Sequence, residues 1–296
     1  MARVVREGVA MSGADTMQWR VRHVTSHRYA ESSAATYSEA RLIPLTTGDQ
    51  VVLRSRVEID PSAWSQEYRD YWGTTVTAFE VTEEHEVLTV SATSVVDTGP
   101  VDTGSVDAIG WEGLADPDLR DRHCEYLAPS EVTDPDAGLA SRLLDIREAS
   151  GSPAEYVHAV GEIVRTEVQR LGAPTHVSST AREVWEARAG VVHDLVHVVL
   201  GALRQAGIPA RFVSGYVHAD DDPPVGETFT SEPYAWVQWW DGDWTGYDVL
   251  EDGAIGPRHV ALGIGREFAD VPPLRGIYAT GGSVDAIVEV ELTRLA

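Results

Sequence analysis

Arg188-Ala189-Gly190-Val191-Val192-His193-Asp194-Leu195-Val196-His197-Val198-Val199-Leu200 is the stretch that decides the fold of this 296-residue chain. Val192, Leu195, Val196, Val199, Leu200 and Leu203 recur at helical spacing, so a helix with a strong apolar side runs from about Val191 to Ala206. Gly207 supplies its C-terminal stop, and Pro209 lies just beyond. The period then changes. Ala210–Val217, Tyr234–Trp240 and Trp244–Tyr247 read as strands, with Asp241-Gly242-Asp243 as a hairpin turn.

Working upstream, two further helical segments precede this helix. Asp134 is read as the N-cap of one, with Leu139, Leu143 and Leu144 on one side. Ser152-Pro153 sets a cap and a first-turn proline before Tyr156, Val160, Ile163 and Val164. Residues 97–131 form a connector rich in Gly, Asp and Pro. From Met17 to about Val96 the period is two: Trp19, Val21 and His23 alternate with polar residues, and 52–59 and 87–92 partly repeat the pattern. Residues 251–282 read as loop, with Pro272-Pro273 and Gly281-Gly282, and a last strand spans Val284 to Leu292. The organisation is a tail (1–16), an antiparallel β-domain (17–96), a connector (97–131) and an α+β core (132–296).

Composition bounds the function. Apolar residues make up 43% and the net charge is −24, so the chain is globular and repels nucleic acid and anionic membranes. All cations are arginine; lysine and asparagine are absent, which a GC-rich genome explains. Cys124 is the only cysteine, so no intramolecular disulfide forms. No apolar run of signal-peptide kind or bilayer-spanning length is present. The expectation is a cytoplasmic protein with no nucleic-acid or membrane partner.

Ordered blocks along most of the chain resemble the bacterial transglutaminase-like superfamily. In the N-terminal part they are His23-Val24-Thr25, Arg28-Tyr29, Glu39-Ala40-Arg41-Leu42-Ile43-Pro44 and Asp70-Tyr71-Trp72-Gly73. In the core they are Thr180-Ala181-Arg182-Glu183-Val184-Trp185, the segment quoted first, Ala206-Gly207-Ile208-Pro209-Ala210-Arg211, Ala235-Trp236-Val237, Gly246-Tyr247-Asp248 and 265–276. The resemblance implies an N-terminal antiparallel β-domain followed by a papain-like transglutaminase core. Such members typically read Arg-x-Gly-Val-Cys-Gln-Asp-Phe-Ala-His in the first core segment and Ser-His-Ala-Trp in the second.

Here the nucleophile position is Val192 and the general-base position is Tyr234; the third triad position keeps its carboxylate as Asp248. Thiol chemistry needs a thiolate and an imidazole held by that carboxylate. Val192 has no nucleophilic atom, and a phenol with pKa near ~10 is a poor base at neutral pH. The triad is therefore degenerate and the thiol reaction is absent. Tyr234 is expected to fill the imidazole space and donate to Asp248.

Other residues offer a substitute chemistry. His193 and His197 lie four apart on one helix, a two-histidine metal spacing, with Asp194 beside them. No Glu sits between them, His197 matches a residue the family already carries, and the favoured reading includes no metal or other cofactor. His193, Asp194, His197 and Trp236 are instead the expected lining of the old cleft. The leading expectation is a pseudoenzyme that binds a protein or peptide partner as a scaffold or regulator. The alternative is an enzyme of altered, non-thiol chemistry on amide bonds, using His193, His197, Asp194 and Asp248, with or without a metal.

Overall fold

A strand with one buried face alternates side chains by two, and Trp19, Val21 and His23 are all buried in the computed structural model. The structure describes residues 16–100, 108–172, 179–280 and 282–296. The expected tail, apart from Thr16, and the Gly281 position therefore lie outside the described residues. Six strands come first: β1 (Met17–Ser33), β2 (Thr36–Ala40), β3 (Gln50–Asp60), β4 (Trp64–Arg69), β5 (Thr75–Val81) and β6 (His85–Thr98). The connector carries short helices α1 (Trp111–Leu114), α2 (Pro117–Arg122) and α3 (Cys124–Leu127).

The core opens with α4 (Ala137–Ala149) and α5 (Pro153–Glu167). Ser152 caps α5, its Oγ accepting the Glu155 N–H at 3.2 Å, with Pro153 in the first turn. Asp136, not Asp134, caps α4, accepting the Leu139 N–H at 2.6 Å. The chain is still turning at Asp134, whose N–H donates to the Ser130 carbonyl, so the helix starts two residues later than the sequence suggests. The short strand β7 (Gln169–Arg170) follows, then α6 (Ala181–Ala187), capped by a Thr180/Glu183 box, and β8 (Ala189–Gly190).

Next comes α7 (Val192–Gln205), twelve of whose fourteen residues are buried, which makes it a central rather than a surface helix. It packs against α4, α5 and α6 and against the strands β9 (Ala210–Val217) and, beyond β10 (Thr228–Ser231), β11 (Tyr234–Trp240). Near its C-terminal end the buried Arg204 donates to the carbonyls of Ala210 and Arg266, linking helix to sheet. The remaining elements are β12 (Trp244–Asp248), β13 (Gly253–Ala254), β14 (His259–Gly265), a 3-10 turn (Phe268–Asp270), β15 (Leu274–Tyr278) and β16 (Val284–Arg294). Residues 251–282, read as loop, thus contain two further strands of five residues or more. The strand signal of β14 is diluted by Gly263 and Gly265, which pack against Val271 and Asp270.

Sheet membership does not follow chain order. The core sheet runs β13-β12-β11-β9-β14, whereas the N-terminal sheets run β10-β16-β1-β6-β3 and β15-β2-β5-β4. The last strand, which the sequence places in a core of residues 132–296, pairs along β1 from Trp19↔Arg294 to Tyr29↔Val284. Alternation fixes that a strand forms and which side chains share a face; it carries no record of the partner. The two layers are then joined by apolar contact among Trp19, Val21, Tyr216, Val260, Leu262 and Leu292. Polar links reinforce them: His23 Nδ1 lies 2.7 Å from Tyr216 Oη, and the Gln50 amide exchanges hydrogen bonds with the Ala261 backbone.

Gly201, in mid-α7, tests this packing. A Cβ there would lie 1.7 Å from the Thr133 carbonyl oxygen, a backbone atom that cannot rotate away. Alanine should favour a helix by about 1 kcal/mol, but overpacking typically costs about 1–3 kcal/mol, so the clash decides the sign. Gly201→Ala should lower the thermal unfolding midpoint; an unchanged or raised midpoint would show that α7 does not sit this tightly on Thr133.

Candidate functional site

The first turn of α7 exposes backbone N–H groups without intrahelical partners, the place where an anion or thiolate is stabilised. Val192 occupies it, 8% exposed and packed in the main core. At the third helical position Asp194 accepts the Val191 N–H at 3.0 Å through Oδ2, so the chain's own carboxylate occupies part of this donor set. Burial raises the Asp194 carboxyl above its ordinary range, against the opposing pull of His193 and the Val191 N–H.

Asp248, at the end of β12, is fully buried. Its Oδ1 accepts from Tyr234 Oη at 3.0 Å and from the N–H groups of Leu250 and Glu251 at 2.9 and 3.2 Å. Its Oδ2 lies 3.2 Å from His259 Nε2. The Gly256 N–H donates to His259 Nδ1, which leaves Nε2 as the proton-bearing nitrogen facing the carboxylate. Burial alone would raise Asp248, but the His259 hydrogen bond and the two backbone donors hold it below the ordinary value. Burial, then the adjacent carboxylate, push the Tyr234 phenol well above its usual range, so it is protonated and a donor at any physiological pH.

His259 is the residue that the sequence reading missed. It lies in a segment read as loop, eleven residues past Asp248, and β14 brings it back by pairing with β9. A lone histidine between Arg258 and Val260 carries no spacing signal that would have found it.

His193, Asp194 and His197 come together on one side of α7. His193 stacks on Phe268, ring centroids 4.5 Å apart and planes at 11°, with Nε2 3.3 Å from Asp194 Oδ1. Burial lowers the pKa of His193. Buried His197 accepts the Phe268 N–H at 3.1 Å, and its pKa is pushed down to about 3 by desolvation and then by His193 and Arg204. Neither histidine contacts Asp248, whose oxygens are taken up by Tyr234, His259 and backbone. Among the described residues no three His, Cys, Asp or Glu side chains converge as a metal-binding group. Trp236, expected to line the cleft, is 2% exposed; its ring sits over Gly215 and meets His259 edge-on at 5.4 Å. It is core, because β11 is covered on both faces, with Tyr234, Ala235, Trp236 and Val237 all buried. Cys124 is exposed on α3.

Little space is left between Val192 and Tyr234. A cavity of about 40 Å³ remains among Val192, Ser214, Tyr234 and Ala235, room for a few waters and not for an amide side chain. Two larger cavities adjoin it. One, about 420 Å³, is lined by His193, Asp194, His197, Phe268 and Arg275; the other, about 360 Å³, lies between Val191, Val192 and Pro233 on one side and Thr25, Ala286 and Val288 on the other.

Residues 19–97 match the family model for the bacterial transglutaminase-like N-terminal region, and residues 141–249 match that of the transglutaminase-like superfamily. An uncharacterized protein of Mycobacterium leprae (strain TN) is 38% identical over 94% of this chain and all of its own length. This chain belongs to the transglutaminase-like superfamily. A second relative, an uncharacterized protein of Mycobacterium tuberculosis (strain H37Rv), is 31% identical over 94% of this chain and 92% of its own. In fold, the chain is similar to the crystal structure of a candidate cysteine protease from Cytophaga hutchinsonii. That match has a TM-score of 0.75 at 20% identity and covers 96% of this chain and 92% of the other. The α+β architecture is thus that of a transglutaminase-like protein.

Two outcomes follow from this transglutaminase-like site. Tyr234→Phe removes a neutral donor from a buried carboxylate that keeps three others, so stability should fall by about 1–2 kcal/mol, measured by urea unfolding. His197 and His23, the latter pushed down to about 4 by burial, have folded-state pKa values below the unfolded value. Their stabilising contribution is complete above pH ~6.5 and is lost as pH falls toward 3–4, by about 2 kcal/mol per histidine between pH 6.5 and 5. In His197→Gln the loss of stability over that interval should shrink by about that amount.

Proposed function

We propose that this chain is a non-catalytic member of its superfamily that binds a polypeptide partner. The observation that carries the reading is Val192 buried at the first position of α7, facing a Tyr234 whose hydroxyl is committed to Asp248. Val192 offers no thiol, and Tyr234 no base able to take a proton at neutral pH. The surrounding frame is nevertheless retained in detail: the buried helix, the Asp248 turn and the apolar cavities beside them. Such a frame suits recognition of an extended chain without cleavage or transfer. The net charge of −24 favours a basic partner over nucleic acid.

The competing reading places altered amide chemistry on His193, His197, Asp194 and Asp248. Its weakness is geometric, because the carboxylate of Asp248 is engaged elsewhere and His197 Nε2 is engaged by the Phe268 N–H. Ammonia release and amine incorporation on glutamine peptides separate the two. The native chain should be silent, and activity above background would return the histidine-rich turn to first place. Val192→Cys combined with Tyr234→His should restore a thiol and an imidazole beside Asp248; measurable turnover by that variant alone would show that the old cleft still admits a peptide.

A further inference from the structure

In β16, Val290 and Leu292 are 1% and 0% exposed, yet Val288, on the same face two residues earlier, is 45% exposed and Ala286 is exposed as well. The row of core-facing side chains runs out of cover at one point. That point is where β10 ends. β10 pairs with the outer edge of β16 only from Thr228↔Thr293 to Ser231↔Val290, and the chain then departs through Glu232-Pro233. Proline has no N–H to continue a ladder.

The backbone is open at the same place. The Leu295 N–H donates to the Gln18 carbonyl and the Ala30 N–H to the Ser283 carbonyl. With the β1–β16 register, these bonds put the exchanged pairs on even residues of β1 and odd residues of β16. The N–H and C=O of Ala286 and Val288 therefore point away from β1, toward the edge that β10 has left. Among the described residues nothing pairs with them there. Ala286 and Val288 also line the 360 Å³ cavity that reaches Val191, Val192 and Pro233.

We propose that this edge takes up an extended segment of a basic partner polypeptide as an added strand, end to end with β10. The inference rests on the polypeptide-binding reading and gives it a place and a mode. Backbone bonds to Ala286 and Val288 supply affinity, and alternate apolar side chains of the guest enter the cavity toward Val192. Charge selects the guest. Glu289 and Asp285 flank the edge and Glu232 rims the cavity, against Arg28 opposite Asp285 and Arg170 paired with Glu232. A second copy of the chain, carrying −24 itself, is repelled.

The test is selection of binders from a displayed random dodecapeptide library on the full chain, followed by anisotropy titration of the recovered peptides. Val288→Pro deletes an outward N–H while sparing the bonds to β1, and Val288→Lys, which leaves the backbone intact, places a cation on the edge should the proline variant not fold. The expected result is basic peptides with alternating apolar residues. They should bind at least about tenfold more weakly to either folded variant and slow amide exchange at Ala286 and Val288 in the native chain. Peptides that bind both variants as tightly as the native chain would overturn the edge and leave the polypeptide-binding reading standing. Recovery of no binders would overturn both. Self-association of the native chain that Val288→Pro abolishes would assign the edge to a second copy and overturn the partner proposed here.

Discussion

Burial of α7 on every side is the constraint from which the rest of the molecule follows. Val192, Leu195, Val196, Val199, Leu200 and Leu203 are each at most 8% exposed, and each such side chain withdrawn from water contributes roughly 1.5–3 kcal/mol. A helix buried this completely has no freedom to shift along its axis, so it is held against β9 and β11. That placement sets Val192 beside Tyr234. Gly201 against the Thr133 carbonyl and Arg204 against the carbonyls of Ala210 and Arg266 hold the far end.

A buried carboxylate is tolerated only when its oxygens are satisfied. Asp248 would be a liability in a chain that had lost its imidazole from β11 and put nothing in its place. Tyr234 supplies a neutral donor, His259 reaches the second oxygen from β14, and the Leu250 and Glu251 N–H groups complete the set. Asp248, Tyr234 and His259 thus form a buried hydrogen-bond cluster. Asp194 meets that demand at one oxygen: Oδ2 closes the first turn of α7 through the Val191 N–H, while Oδ1 is buried without a hydrogen-bond partner, and burial raises the carboxyl.

The cavities beside Val192 are bounded by both the core and the N-terminal sheets. The reason is topological. β16 returns to pair with β1, so the strand that walls the cavity opposite Val192 comes from the end of the chain, and β10 covers just part of its outer edge.

Local signals in the sequence determined the elements and their faces. The apolar spacing of 191–206, the Ser152-Pro153 start, the Gly207 stop and the period-two runs all depend on residues within a few positions of one another. The hydrogen bond from Tyr234 to Asp248 was legible because ordered motif blocks set the register around both residues. Tertiary structure alone decided which strand pairs with β1, that His259 serves Asp248, and that Trp236 is core and not cleft. Each of these depends on residues far apart in sequence meeting across a sheet. Alternation specifies a face but not a neighbour, and a single histidine between Arg258 and Val260 has no period to betray its partner.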